Sequence, residues 1–280
     1  VEILDNQGSE GGFGLWEPGS GDLWLDAYVT DFLSRAKAQG YAVPDLALKN
    51  ALTNLRNQVN YAPDFNAETN GGGTALAYAL MVLAREGAAA IGDLRYYADV
   101  KGDDFATALA QAQLAAALAS YGDQPRADAM FRKAGTRMEA ALAKEEAQVL
   151  RVDYGTNYRD AAALLTLAVE AGSDAIEREA LTDRIPRAGN NPSTQEATWA
   201  LLAANALIDR PDTSGVKIDG AAVDGPLVKV LTDGQSPVTV TNEGPDTTIT
   251  LSTYGVPAEP EPDGGNGYAI ARSYFTMTGE

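Results

Sequence analysis

The stretch of sequence that decides the fold runs from residue 11 to residue 44 and reads GGFGLWEPGSGDLWLDAYVTDFLSRAKAQGYAVP. It opens with a turn rich in glycine and tryptophan, and continues into an apolar segment that predicts a helix over residues 22–39. Gly40 stands where a C-terminal cap belongs. Pro44, followed by Asp45, predicts the first turn of the next helix, because proline is tolerated at a helix start. The stretch therefore predicts two consecutive helices joined by a short connection.

The residues up to about 210 are rich in alanine and leucine and predict a succession of helices. The expected helices are 22–39, 45–60, 73–87, 92–98, 104–121, 124–144, 157–171, 175–185 and 193–209. Segments 75–84 and 106–119 are apolar almost all round, whereas 126–144 is apolar on one side only. This alternation predicts an α/α toroid, in which buried inner helices and amphipathic outer helices take turns. Other all-α folds, such as an α-solenoid, stay open, although no fixed repeat period is visible.

The sequence changes character after residue 214. Short β-branched runs at 216–218, 227–231, 238–241 and 248–251 predict strands. Residues 211–215, which contain proline, aspartate and glycine, mark the expected boundary. The predicted fold class is therefore mainly α: a toroid of helical hairpins followed by a short, incomplete β-sandwich segment.

Composition excludes several classes of function. The chain has 280 residues, 45% of them hydrophobic, and a formal net charge of −18, which disfavours nucleic acid or anionic lipid as a partner. No run of about 18 apolar residues predicts a membrane span. Histidine and cysteine are both absent, which excludes a Ser-His-Asp triad, a cysteine nucleophile and the usual zinc ligand sets. No cofactor or metal is predicted.

Four stretches, taken in order, resemble a known family. They are the glycine and tryptophan turn with its following helix, residues 77–85 with 91–97, residues 157–164, and residues 193–202. Their order and spacing resemble the α2-macroglobulin and complement family in its bacterial form, over most of residues 11–208. The resemblance implies a thioester-type toroid domain at 1–210. It also implies the returning strands of a CUB-like β domain at 214–262, and the start of a macroglobulin-type β domain at 263–280.

The resemblance implies a protease trap, not an enzyme. Family members capture proteases covalently through a Cys–Gln thioester after a bait region is cut, when a protease lysine attacks the thioester carbonyl. This chain has no cysteine. We therefore expect the Cys-Leu-Glu-Gln motif and the first inner helix to lie before residue 1, unless the protein is a thioester-free paralogue. The implied partners are proteases and neighbouring domains of the same chain. The implied location is the periplasm or cell envelope, with an inner-membrane lipoprotein or a secreted protein as variants.

The resemblance also suggests residues around the thioester. Trp16, in the glycine-rich turn, either shields the thioester from water or fills a gap in the core. Asn66, Glu68 and Asn70 lie in the loop where complement relatives carry a histidine that directs acyl transfer to hydroxyls. Because this loop has no histidine, transfer to amines is implied. A flexible connection with a helix cap is the alternative for this loop.

Further candidates lie near the end of the chain. Ser193 and Glu196 have the spacing of a capping box, and Gln195 between them is a candidate for hydrogen bonds to the inner helices at the mouth of the ring. Tyr268 and Tyr274 are candidates for an aromatic cover over the thioester. Trp24, Tyr28 and Trp199 are predicted to pack in the core.

Two other function classes stay open. An α/α-toroid glycoside hydrolase or polysaccharide lyase would need two carboxylates about 5–10 Å apart across an open cleft, and Asp26 and Asp31, with Glu17 nearby, are the acids near a helix start. A thioester-free interaction module would instead bind a protein partner through its acidic surface.

Overall fold

The computed structural model describes residues 2–19, 21–143, 151, 153–182, 192–208, 215–223, 229–232, 234–244, 249, 251, 255 and 271–279. The chain divides into two units. The helical unit comprises Val1–Asp212 with Asp224–Leu231, and the strand unit comprises Thr213–Val223 with Thr232–Glu280. None of the helices in the described part of the chain combines the length and the apolar character that a membrane span requires.

The helical unit contains ten α-helices among its described residues. They are α1 (Glu2–Asp5), α2 (Leu23–Ala38), α3 (Asp45–Asn60), α4 (Thr74–Arg85), α5 (Ile91–Val100), α6 (Ala108–Ser120), α7 (Gln124–Ala143), α8 (Asn157–Glu170), α9 (Arg178–Thr182) and α10 (Thr194–Ile208), with a 3-10 turn at Asn70–Gly73. The nine predicted helices are confirmed, most within two residues at each end. The α6 helix starts at 108 instead of 104, because the Thr107 side chain accepts from the Ala110 N–H and caps the helix there.

Two rows of helices build the unit. Helices α2, α4, α6, α8 and α10 form an inner row, in which each helix packs against the next. Helices α3, α5, α7 and α9 pack on the outside of this row. The inner helices α4, α6 and α8 are buried on nearly every side, whereas α7 buries one stripe at the three- and four-residue spacing of an amphipathic helix. This is the helical-hairpin architecture of an α/α toroid, as the alternation of the sequence predicts.

The glycine and tryptophan turn is held to the helices by one buried carboxylate. Asp26 of α2 accepts hydrogen bonds from the Phe13 N–H at 2.7 Å, from Asn54 at 2.8 Å and from Gln58 at 2.6 Å. Phe13 packs in a separate apolar cluster with residues of α2 and α3, among them Leu33. The stretch at 11–44 therefore determines how the first inner and first outer helix meet.

A small antiparallel sheet forms the described part of the strand unit. Its strands are β1 (Val216–Ile218), β2 (Ala221–Ala222) and β3 (Val240–Asn242), in the order β2-β1-β3. Lys217 lies opposite Ala222 on one side and Thr241 on the other. The prediction at 216–218 is confirmed, and the one at 238–241 is confirmed with a shift toward residue 242.

One strand of the sheet was not predicted, and other predicted strands are not found or lie outside the described residues. Strand β2 was not predicted because alanine is a poor strand former. It forms because Asp219 and Gly220 both have positive φ, at 51° and 84°, and so make the tight turn of a two-residue hairpin. Residues 229–231 and 271–279 are not in strands. Most of the predicted strand at 248–251, and residues 227 and 228, lie outside the described residues.

Candidate functional site

The N-terminal ends of the inner helices meet at one small cavity, which we call the chamber. Its volume is about 10 Å³. Every inner helix contributes to its wall, with α8 contributing together with the loop before it. The lining residues are Trp24, Thr74, Tyr78, Thr107, Leu109, Gln113, Asp153, Arg159, Gln195 and Trp199. Helix N-termini carry partial positive charge. Side chains cap the N-termini of α2, α6, α8 and α10, whereas α4 has no side-chain cap.

Aromatic rings form one wall of the chamber. Trp24 stacks on Tyr28 with ring centroids 5.2 Å apart, and contacts Tyr78 at 6.2 Å and Tyr154 at 5.1 Å. Tyr154 has a φ of 53°, a left-handed conformation that is rare for a bulky residue. The core packing predicted for Trp24 and Tyr28 is confirmed, and Trp199 is 3% exposed. The sequence around Tyr154 carries no local signal of its contact with Trp24, so it does not predict this residue as part of the site.

An ion-pair network supports the opposite wall. Arg159 is 1% exposed and donates to Asp153 at 2.7 Å and to Asp160 at 2.8 Å. Arg151 donates to the same two carboxylates, at 2.6 Å and 2.9 Å. Burial alone would raise the pKa of Asp153, but the charges and hydrogen bonds of Arg159 and Arg151 outweigh burial and lower this pKa. Asp153 is therefore an ionised, fully paired structural carboxylate.

A second network lies deeper along α2. Asp31 accepts from Tyr78 at 2.8 Å, from Arg35 at 3.1 Å and from Arg85. Burial would raise the pKa of Asp31, yet the neighbouring charges of Arg85 and Arg35 outweigh it and lower the pKa. Burial and the Asp31 charge raise the pKa of Tyr78 well above its ordinary value. Asp26 and Asp31 are thus engaged in separate structural networks, and neither offers a free carboxylate for acid–base chemistry.

A larger cavity, which we call the groove, lies between the first and the last inner helix. Its volume is about 740 Å³, and α1, α2, residues 41–44 and α10 line it. Its walls are mostly apolar, with Ile3, Leu4, Phe32, Tyr41, Val43 and Leu202 among the lining residues. Among the described residues, Asp31 is the one carboxylate that lines the groove, so this part of the chain does not supply the carboxylate pair of a glycosidase there. Tyr78 and Trp199 line both cavities, so the groove and the chamber are neighbours.

The loop before α4 carries three predicted site residues. Asn66 accepts from the N–H groups of Glu68 and Thr69 at 2.9 Å and 3.0 Å, and Asn70 donates to the Asp64 carbonyl. Residues 70–73 then all have positive φ, between 51° and 66°, directly before Thr74 of the chamber. Three of these four residues are glycines, which reach this conformation without steric cost. The loop therefore lies at the chamber end of the toroid, and the proposed role in acyl transfer stays a prediction.

The remaining predicted residues lie in different places. Trp16 is 92% exposed, so the alternative that it fills a gap in the core is wrong, whereas its shielding role stays a prediction. Gln195 lines the chamber, but its side chain makes no hydrogen bond to the described part of the inner helices, so the hydrogen bonds expected for it are not found there. Tyr274 is 81% exposed in the strand unit, and Tyr268 lies outside the described residues.

The capping box before Gln195 is confirmed. The Ser193 N–H donates to Glu196 at 2.7 Å, and the Glu196 N–H donates to the Ser193 hydroxyl at 3.3 Å. Glu196 also accepts from Thr156 at 2.7 Å, which ties α10 to the start of α8. Among the described residues, no group of three acidic side chains is placed to hold a metal ion.

Comparison with known proteins gives the evolutionary class. The α2-macroglobulin of Escherichia coli K12 is 32% identical over 221 residues, which is 75% of this chain and 13% of that protein. No protein-family model matches the chain. The chain thus spans about an eighth of the length of this relative.

Solved structures agree with the sequence comparison. Salmonella α2-macroglobulin reacted with methylamine matches with a TM-score of 0.65 and 28% identity, over 86% of this chain and 15% of that one. Trypsin-activated E. coli α2-macroglobulin matches with a TM-score of 0.61 and 26% identity, over 86% of this chain and 16% of that one. The helical unit is an α/α toroid domain whose inner helices share one N-terminal chamber. The chain belongs to the bacterial α2-macroglobulin family.

Proposed function

We propose that residues 1–210 form the thioester-type toroid domain of a bacterial α2-macroglobulin that traps proteases covalently. The chain is similar to E. coli α2-macroglobulin, and one of the similar solved structures is the trypsin-activated form of that protein. This similarity supports a protease as the partner. The structure of the Salmonella relative reacted with methylamine supports chemistry with a small amine, as expected for an electrophilic acyl group. Residues 214–262 would belong to a CUB-like β domain, and residues 263–280 to a following macroglobulin-type domain.

The groove carries this proposal. The inner row has α2 at one end and α10 at the other, and the groove lies between these two helices. One further helix with an apolar face would fill the groove and complete the row, because apolar surface gains free energy when it is covered. The chain has no cysteine, so the thioester would have to come from outside residues 1–280. We propose that a helix carrying the Cys–Gln pair occupies the groove and places the thioester beside the chamber.

The trap would then work as follows. Cleavage of a bait region elsewhere in the protein would loosen the cover over the thioester, and a protease lysine would attack its carbonyl carbon. The loop with Asn66 lies at the chamber end and carries no histidine, which favours direct transfer to amines. Trp16, Tyr268 and Tyr274 are proposed as parts of the cover. The neighbouring domains and the target proteases are the expected partners, in the periplasm or cell envelope.

The test uses the complete gene product that contains residues 1–280. We expect trypsin or elastase to form a conjugate with it that survives a denaturing gel, and pretreatment with methylamine to abolish that conjugate. The chain of 280 residues by itself should take up no radiolabelled methylamine, because it has no cysteine. Methylamine uptake by this chain alone, or no conjugate from the complete product, would contradict the covalent trap. Protease binding without a covalent bond would instead support the thioester-free interaction module.

A further inference from the structure

Two glutamine side chains in the chamber have no hydrogen-bond partner among the described residues. Gln113, on the second turn of α6, is 3% exposed and lines the chamber. Gln195, on the first turn of α10, lines it too. Neither side chain has a hydrogen bond to any of the residues that the structure describes. Gln113 is buried and Gln195 is half-buried, and their amide atoms are not sealed off in the way that Arg178 Nε is. An unpartnered amide that faces a cavity usually binds a water or a ligand.

Most of the other polar groups that line the chamber already have a partner. Both Asp153 oxygens accept from arginine side chains, and each guanidinium nitrogen of Arg159 donates to Asp153 or Asp160. Thr74 donates to the Gly71 carbonyl at 3.0 Å, and Tyr78 donates to Asp31. Thr107 accepts from the Ala110 N–H, which leaves its hydroxyl hydrogen free. The side-chain donors left over include the two glutamine amides, the Thr107 hydroxyl and the indole N–H groups of Trp24 and Trp199, which have no hydrogen bond to the described residues.

The helix N-termini at the chamber determine the charge that is favoured for a ligand atom beside the free donors. The N-terminus of α4 lies at the chamber, and its N-cap, Gly73, has no side chain to cap the first turn. The first turn of α4 therefore presents partial positive charge and uncapped N–H groups to the chamber. A ligand atom with partial negative charge is therefore favoured, and the amide nitrogens of Gln113 and Gln195 are expected to turn toward it.

The size of the chamber limits the ligand to one atom. A cavity of about 10 Å³ is close to the minimum that holds one water, roughly 10–15 Å³. We propose that the chamber binds a single hydrogen-bond-accepting oxygen through Gln113 and Gln195. In the chain alone this oxygen belongs to a water molecule. In the complete trap it is the carbonyl oxygen of the thioester, an assignment that rests on the proposed function.

In the complete trap, Gln113 and Gln195 are positioned to assist acyl transfer from the thioester to an amine. The amine nitrogen attacks the carbonyl carbon, and the electron pair of the C=O bond moves to the oxygen in the chamber. The oxygen then returns its pair, the C–S bond breaks, and sulfur leaves as a thiolate while the amine loses a proton to solvent. The amides donate to the oxygen while it carries negative charge, as donors in oxyanion holes do.

The first experiment is a high-resolution crystal structure of the 280-residue chain and of its Gln113→Met variant. Methionine keeps the length of the side chain and removes the amide. We expect one oxygen peak about 3 Å from the amides of Gln113 and Gln195, and a weaker or absent peak in the variant. A chamber that is empty in the wild-type chain, or filled by a protein side chain, overturns the proposal.

The second experiment distinguishes the acyl carbonyl from water. The rate of methylamine incorporation is measured in the complete gene product for wild type, Gln113→Met, Gln195→Met and the control Gln124→Met. Gln124 lies on the outer helix α7, where it bonds Asp128 at 2.9 Å and does not line the chamber. We expect a fall of about a hundredfold in each chamber variant, the lower end of the range for loss of one oxyanion donor, and a control rate within about twofold of wild type.

The outcomes separate the two proposals. Rates of the chamber variants that stay within twofold of wild type overturn the carbonyl assignment, even where the water is present. A wild-type product that takes up no methylamine contradicts the covalent trap, and the crystal structure then still decides whether the chamber binds an acceptor oxygen. Thermal unfolding of each variant shows whether a rate change comes from misfolding.

Discussion

The chamber and the groove lie next to each other in the helical unit and share Tyr78 and Trp199, yet they are built on opposite physical principles. The chamber measures about 10 Å³, and most of its polar groups find partners within the chain. The groove measures about 740 Å³, and its aromatic residues Phe32 and Tyr41 are 56% and 72% exposed. Contiguous exposed apolar surface commonly marks an interaction site. The chain therefore stabilises the chamber by itself, whereas the groove gains stability only when another apolar surface covers it.

The largest loss of stability is expected when Arg159, whose side chain lines the chamber, is replaced. We expect Arg159→Met to lower the free energy of unfolding by about 3–5 kcal/mol, because Asp153 and Asp160 would lose a buried partner. Urea unfolding measures the change. Arg132→Met is the control, since Arg132 is exposed on α7, and a change within about 0.5 kcal/mol is expected there. A loss below about 1 kcal/mol for the Arg159 variant would contradict the closed network.

Acid should weaken both sites together, because Asp153 lines the chamber and Asp31 lines the groove. Both have a folded-state pKa below the unfolded value of about 3.9. Their contribution to stability is therefore fully present well above pH 4, and it is lost as pH falls through the unfolded and then the folded pKa. Urea unfolding between pH 3 and 7 should show a decline that begins near pH 5. The decline should be shallower in Asp31→Asn, and an unchanged slope in that variant would count against the prediction.

The groove is tested by comparing the same substitution in two contexts. In the 280-residue chain, Phe32→Ser should cost no more than about 1 kcal/mol, because Phe32 is more than half exposed. In the complete gene product the cost should rise by a further ~1 kcal/mol if a helix covers the groove. Leu46→Ser is the matched control, since Leu46 is 68% exposed on α3 and does not line the groove. Equal costs for Phe32→Ser in the two contexts would argue that nothing covers the groove.

The smallest expected effect concerns Tyr154 at the edge of the chamber. Its left-handed conformation costs about 1–2 kcal/mol, and its contact with Trp24 returns about 0.5–1.5 kcal/mol. Tyr154→Gly should therefore change the free energy of unfolding by only about 0.5 kcal/mol. Tyr154→Ala loses the contact with Trp24 and keeps the backbone strain. We expect it to be less stable than the glycine variant by about 1 kcal/mol. Thermal unfolding compares the two variants. Equal stability of both would show that the backbone at residue 154 relaxes.

Much of the helical unit was predictable because its signals are local. Helix ends follow from caps such as Ser193 with Glu196, and inner helices follow from segments that are apolar all round. The strand unit was harder to predict. Strand β2 consists of two alanines and exists only because the turn at Asp219 and Gly220 brings it beside β1. An Asp-Gly pair is itself a hairpin signal, so strand β2 could have been predicted from the sequence.

The candidate site was predictable only in part. Gln195 was identified from its place at the start of the last helix, and the loop with Asn66 from the resemblance to complement relatives. Gln113 gave no signal, because it sits in a run of alanine and leucine that predicts only a buried helix. Arg159 and Asp153 were also missed, since charged residues on a helix or loop are usually solvated, and their burial depends on partners that the sequence does not reveal.

The sequence by itself determined the positions of the helices, the order of inner and outer helices, and the absence of cysteine and histidine chemistry, because these depend on composition or on neighbours three or four residues apart. The tertiary structure alone decided that Gln113 and Gln195 face the same cavity, and that the first and last inner helices leave a groove between them. The physical reason is that such contacts are set by how whole helices pack side by side, and a side chain cannot specify this from its own place in the chain.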